Sequence, residues 1–260
     1  MLCEVRQNIR MFDRKRSSFG KYVRGGQGSG KMRLSLQVPA GDQMNSLLQV
    51  SDGELLYTLM DVGQHSTRTQ VDLGKVRDRL TITQKSLQDP VVAMYLAIGG
   101  QAELLRKLCQ QYNWIEVKAG RLGDRQVWWL EGIALDQPPA QHSLALIDVR
   151  HFEERPGLRP QRATLAIGNT DSQAPFWLYQ VEETYASQNQ KTALGSHQLT
   201  VTTEWDSPAA LSVSQLVPDL FRLAAADSPS LYESRDETKL YLPPQPHSVA
   251  EATSWRDTQR

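Results

Sequence analysis

The sequence predicts an α+β fold built on one large antiparallel sheet, curved around a few helices. Three observations predict it. Apolar and polar residues alternate through the first third, as in Lys31-Met32-Arg33-Leu34-Ser35-Leu36-Gln37-Val38, the period-2 signature of a half-buried strand. Helical spacing is confined to the middle. Alternation then returns, so the order is strands, helices, strands, and not the regular βαβ alternation of a parallel fold. The helical residues are too few to cover both faces of the sheet, which is therefore expected to curl around them.

The elements follow in chain order. Val5, Ile9 and Met11 alternate with Arg6, Asn8 and Arg10 and mark a first strand; residues 19–24 mark a short one after it. Arg14-Lys15-Arg16, the main local basic cluster, reads as the decoration of a turn. Gly25-Gly26-Gln27-Gly28-Ser29-Gly30-Lys31 fits a phosphate-binding loop as far as the lysine, but Met32 stands where that motif needs Ser or Thr. Such a loop must also open a helix. Here a strand follows, so the glycines read as a hairpin connection. Leu144-Ala145-Leu146-Ile147-Asp148 resembles the strand-plus-aspartate of nucleotide hydrolases; alone, it leaves nucleotide binding the weaker reading.

Further strands are expected at 46–50, at 54–60 after the Asp52-Gly53 turn, and through Thr67, Thr69 and Val71. Asp72 has the character of an N-cap, with Leu73, Val76 and Leu80 spaced for a short helix behind it. Val91, Val92, Tyr95 and Leu96 suggest a second helix, and Leu104, Leu105, Leu108, Cys109 and Tyr112 the buried face of a third. Gly99-Gly100 separates the two as a candidate hinge. Strands are expected at 114–118 and 126–133, then at 162–167, 175–185 and 197–205. Residues 136–160 read as a surface excursion with a short helix. The domain is expected to span 1–225, with 226–260 a polar, disordered tail.

Composition narrows the function. Lys plus Arg equals Asp plus Glu at 29 each, which argues against a nucleic-acid groove or a polybasic membrane patch. Cys3 and Cys109 fit one disulfide or two buried thiols equally well. No apolar run reaches the roughly 20 residues of a membrane-spanning helix. His65, His142, His151, His197 and His247 are scattered, and no metal-binding or nucleophile motif occurs. His151 near Glu153 and Glu154 reads as a solvated loop, since zinc needs three or four convergent ligands. Glu182 and Glu183 are adjacent on a strand and so split between its faces. Trp128 and Trp129 split likewise, so at most one is core. No cofactor, metal or catalytic group is expected.

Asp52-Gly53-Glu54-Leu55-Leu56-Tyr57 resembles a strand of the periplasmic lipoprotein carriers LolA and LolB. The order around it is also similar: a strand meander, Asp72-Leu73 leading into helices, more strands, and a closing stretch before Phe221. The resemblance covers roughly residues 1–225 and implies an open half-barrel with an apolar cavity for acyl chains. It implies an acyl lipid or lipoprotein as partner and a periplasmic or cell-envelope location. It also implies a leader and a helix ahead of the first strand, so the start of the chain is expected to be truncated. The candidate cavity lining is the sheet's apolar face: Met32, Leu34, Leu36, Leu59, Trp177, Tyr179, Val181, Leu199, Val201 and Trp205. The alternative is an interaction or scaffold protein whose core is plugged by Trp177, Trp205 and the helices.

Overall fold

A computed structural model describes residues 1–11, 14–26, 29–40, 43–82, 97–135, 158–187, 198–211, 218–223 and 233–242. Twelve strands form one open sheet in the order β12-β6-β5-β4-β3-β2-β1-β11-β10-β9-β8-β7. The strands are β1 (Leu2–Met11), β2 (Arg14–Arg24), β3 (Lys31–Ala40), β4 (Gln43–Asp52), β5 (Leu55–Val62), β6 (His65–Asp72), β7 (Tyr112–Leu122), β8 (Arg125–Ala134), β9 (Leu158–Gly168), β10 (Leu178–Ser187), β11 (Gln198–Trp205) and β12 (Glu233–Asp236). Every pairing is antiparallel except that of β12 with β6. This is the α+β sheet that the alternation predicts, in the half-barrel form that the resemblance implies. Its two meanders, β1–β6 and β7–β11, meet where β1 pairs with β11.

The helices are α1 (Leu73–Ile82), α2 (Gly100–Gln111) and the single turn α3 (Thr238–Tyr241). Asp72 caps α1 as expected, its Oδ1 accepting the Lys75 N–H at 2.8 Å. α2 lies on one face of the sheet and buries Leu104 and Leu108 in the main apolar cluster. That cluster gathers residues from every strand from β1 to β11 together with both long helices.

The glycine stretch lies between β2 and β3, and a strand rather than a helix follows Lys31, as expected. Other expectations are corrected. Arg14, Lys15 and Arg16 begin strand β2, with their side chains exposed, and do not sit in a turn. Tyr112 is not helical: α2 ends at Gln111, and the Tyr112 ring is buried as the first residue of β7. The strand expected from 175 starts at Leu178, because Phe176 adopts a left-handed φ of 60° ahead of it. Leu158–Gly168 is strand from its first residue, which shortens the excursion expected through 160. The expected tail does not hold over 233–242, where β12 and α3 form; a four-residue strand with no alternation gives no periodic signal. Cys3 and Cys109 are both free, Cys3 buried and Cys109 exposed. The helix expected at 91–96, the rest of the 136–160 excursion, the Leu144–Asp148 pattern and His151 with its glutamates lie outside the described residues.

Candidate functional site

Strand register decides which candidate lining residues share a face. Leu36 opposes Gly20 on β2, which opposes Val5 on β1, which opposes Trp205 on β11. Alternation along each strand then places Met32, Leu34, Leu36, Leu199, Val201 and Trp205 on one side. Val181 opposes Thr203 and joins them. Trp177 reaches the same side, its ring tilted against Tyr22 with centroids 6.3 Å apart. Met32, Leu34, Leu36, Trp177, Tyr179, Val181 and Trp205 all belong to the main apolar cluster. Leu59 does not share this face. It opposes Leu48, while its neighbour Met60 opposes Leu47 and so stands in line with Leu36. All ten residues are buried, Trp177 the most accessible at 7%.

The cover over this face is α2. Its first turn is seated tightly: a side-chain carbon on Gly100 would come within 2.7 Å of the Tyr22 ring, and one on Gly99 within 3.2 Å of the Met32 sulfur. Both glycines have left-handed φ, 79° and 56°, which other residues adopt only with strain. α2 also carries buried polar groups, of which Gln101 bonds the sheet. Gln101 Nε2 donates to the Leu178 carbonyl at 3.1 Å. Glu103, 7% exposed, accepts from the Gly99 N–H at 2.9 Å and pairs with Lys107 at 3.0 Å and Arg106 at 3.7 Å. Burial opposes its charge, but Lys107, the Gly99 N–H and Arg106 outweigh burial and hold the carboxyl below its ordinary range.

From the far end of the chain, Tyr241 on α3 donates to Glu103 at 3.1 Å, and the Arg106 guanidinium lies 5.8 Å from the Tyr241 ring centroid. Thr238 Oγ1 accepts the Asp72 N–H at 2.8 Å. β12 and α3 thus join the β6 edge of the sheet to α2.

A polar strip crosses the apolar face where the two meanders join. Gln7 and Thr203 oppose each other on β1 and β11, and Gln7 Nε2 donates to Thr203 Oγ1 at 3.1 Å. Gln7 Oε1 is buried without a hydrogen-bond partner. Ser18, opposite Gln7 on β2, is buried as well. Diagonal to Thr203, Glu183 accepts from the Tyr112 hydroxyl at 2.8 Å. Burial first, and then the Glu183 charge, push the Tyr112 phenol far above its ordinary value, so it stays a neutral donor. Sequence reasoning missed this strip, though its signal was present: in Val5-x-Gln7-x-Ile9 and Val201-x-Thr203-x-Trp205 the alternation holds a polar residue at an apolar position.

Glu182 bonds Thr202 on the opposite face, so the adjacent carboxylates split as expected. Trp129 lies over Gly120, while Trp128 is 36% exposed. Among the described residues, no three His, Cys, Asp or Glu side chains converge as metal ligands, and no helix is long and apolar enough to cross a membrane. The face opposite α2 carries a hollow of about 160 Å³ between Glu4, Arg6, Phe19, Lys21, Glu204 and Asp206, smaller and more charged than ordinary ligand cavities of roughly 300–1,000 Å³.

No protein-family model matches the chain, and no curated protein matches it. Two solved structures are similar over most of its length. One is a candidate outer membrane lipoprotein-sorting protein domain from Vibrio parahaemolyticus, 7% identical, covering 85% of this chain and 90% of that one, with a TM-score of 0.30. The other is a DUF1329 family protein from Desulfovibrio piger, 8% identical, with the same coverages and a TM-score of 0.31.

Proposed function

We propose that the protein is a non-enzymatic binder of an acyl lipid or a lipoprotein in the cell envelope, with the apolar face beneath α2 as its binding surface. One observation carries this reading. A continuous apolar face, from Met32 to Trp205, is covered by a helix that holds on partly through buried polar groups. A cover meant to be permanent gains most from apolar packing. Gln101 and Glu103 instead take a set of specific bonds, which an open state can exchange for water at modest net cost. Lifting α2 about Gly99 and Gly100 exposes Leu36, Val181 and Trp205 to an acyl chain. Each methylene buried there contributes about 0.8 kcal/mol.

Trp177 and Trp205 favour the second reading, since both lie inside the packed cluster. On that reading the core is filled for good and the protein is a scaffold. Native mass spectrometry of the purified chain, followed by organic extraction, separates the two. A co-purifying acyl species that is lost in Leu36→Gln or Val201→Gln variants retaining the wild-type circular dichroism is the expected result. An apo mass, with no uptake of a fluorescent fatty-acyl probe by either wild type or Tyr241→Phe, overturns lipid binding and leaves the scaffold.

A further inference from the structure

The two edges of the sheet are treated differently. β12 lies along β6, while among the described residues β7 has β8 alone beside it. From Glu116 to Leu122 the β7 register with β8 is unbroken. Val117 opposes Leu130 and Ala119 opposes Trp128, so these four side chains share a face. Val117 is 61% exposed and Trp128 36%. On the other face Lys118 Nζ stands 2.7 Å from Glu116 Oε1. An exposed, apolar, unpaired strand edge templates pairing with another chain. The charges that ordinarily guard such an edge are here neutralised by each other.

We propose that β7 pairs antiparallel with β7 of a second copy of this chain, about a two-fold axis at Val117. The sequence of the edge is self-complementary in that register. Val117 meets its own counterpart, so the apolar face it shares with Leu130 continues across the junction. Glu116 meets Lys118 twice, once on each side of the axis, so the charged face continues too. Centring the axis on Glu116 or on Lys118 sets like charges opposite each other, which disfavours both alternatives. Ile115 lies in the bulge between Trp114 and Glu116, which ends regular pairing on one side, so the paired segment is short and centred on residues 116–118. The interface is isologous, as two-fold symmetry requires, and it leaves α2 and the face beneath it free.

Sedimentation of the full chain from about 1 µM to about 1 mM tests this over the range of weak association. The expected result is a concentration-dependent dimer. Glu116→Lys, which sets two lysines opposite each other, weakens it at least about tenfold. The double substitution Glu116→Lys with Lys118→Glu restores it, and Val117→Lys abolishes it. These side chains are solvent-facing, so the variants keep the wild-type unfolding temperature. A chain that stays monomeric to about 1 mM overturns the proposal. So does a dimer indifferent to Glu116→Lys and Val117→Lys, which places the contact elsewhere. A double substitution that fails to restore the dimer overturns the register.

Discussion

The Tyr241 hydroxyl donates to the Glu103 carboxylate at 3.1 Å, joining residues 138 positions apart. Through this bond the C-terminal β12–α3 segment acts on the helix that covers the apolar face. Tyr241→Phe removes a hydrogen bond to a charged acceptor, a loss of about 1.5–3 kcal/mol. Urea unfolding is expected to show that loss. Amide exchange is expected to quicken across α2 and not across β3, because β3 keeps both of its neighbours.

Acid is expected to act at the same carboxyl. Glu103 titrates below its ordinary value of 4.5, so its ionised form stabilises the fold. That contribution is complete above the unfolded value and is lost as pH falls through the lower, folded one. Glu103→Gln is expected to lower stability at neutral pH and to flatten the decline as pH falls below the ordinary glutamate value. An acid limb equally steep in the variant would place the sensitivity in another carboxyl.

Gly100 combines a left-handed φ of 56° with contact against the Tyr22 ring. Gly100→Ala is expected to cost more than about 1 kcal/mol. Pairing it with Tyr22→Leu removes the clash and leaves the backbone strain. In a double-mutant cycle the pair is therefore expected to cost less than the sum of the single changes.

The two thiols are expected to separate cleanly. Burial first, with the Asp206 charge second, pushes Cys3 up to about 12, while Cys109 is exposed. A thiol reagent at pH 8 is expected to label one cysteine per folded chain, at Cys109, and both only after denaturation. Mass mapping of the adduct checks the site.

Much of the sheet was legible before any coordinates. Met32, Leu34, Leu36 and Val38 alternate because one face of β3 is buried, and that local period needs no knowledge of the partner strands. Register was not legible, and so Leu59 was assigned to the wrong face: its own strand carries apolar residues on both sides, and only the pairing of Leu47 with Met60 settles which side is which. Glu103 was hidden for another reason. With Arg106 and Lys107 three and four positions on, it has the spacing of an ordinary exposed helix pair, and nothing local signals that a tyrosine 138 residues away will help bury it. The Gln7–Thr203 strip lay between these cases. Each gap in the alternation was visible, but that the two gaps coincide follows only from the pairing of β1 with β11.

That pairing also sets a delay in the life of each molecule. β1 leaves the ribosome well before β11, and its second neighbour waits for Thr203, 196 positions behind Gln7. At about 5–20 residues per second the interval is roughly 10–40 s. For all of it the nascent chain carries a strand open along one side, beside residues destined for the core. Whatever occupies that vacancy during synthesis competes directly with β11, so the yield of folded protein is expected to depend on the pace of translation as well as on final stability.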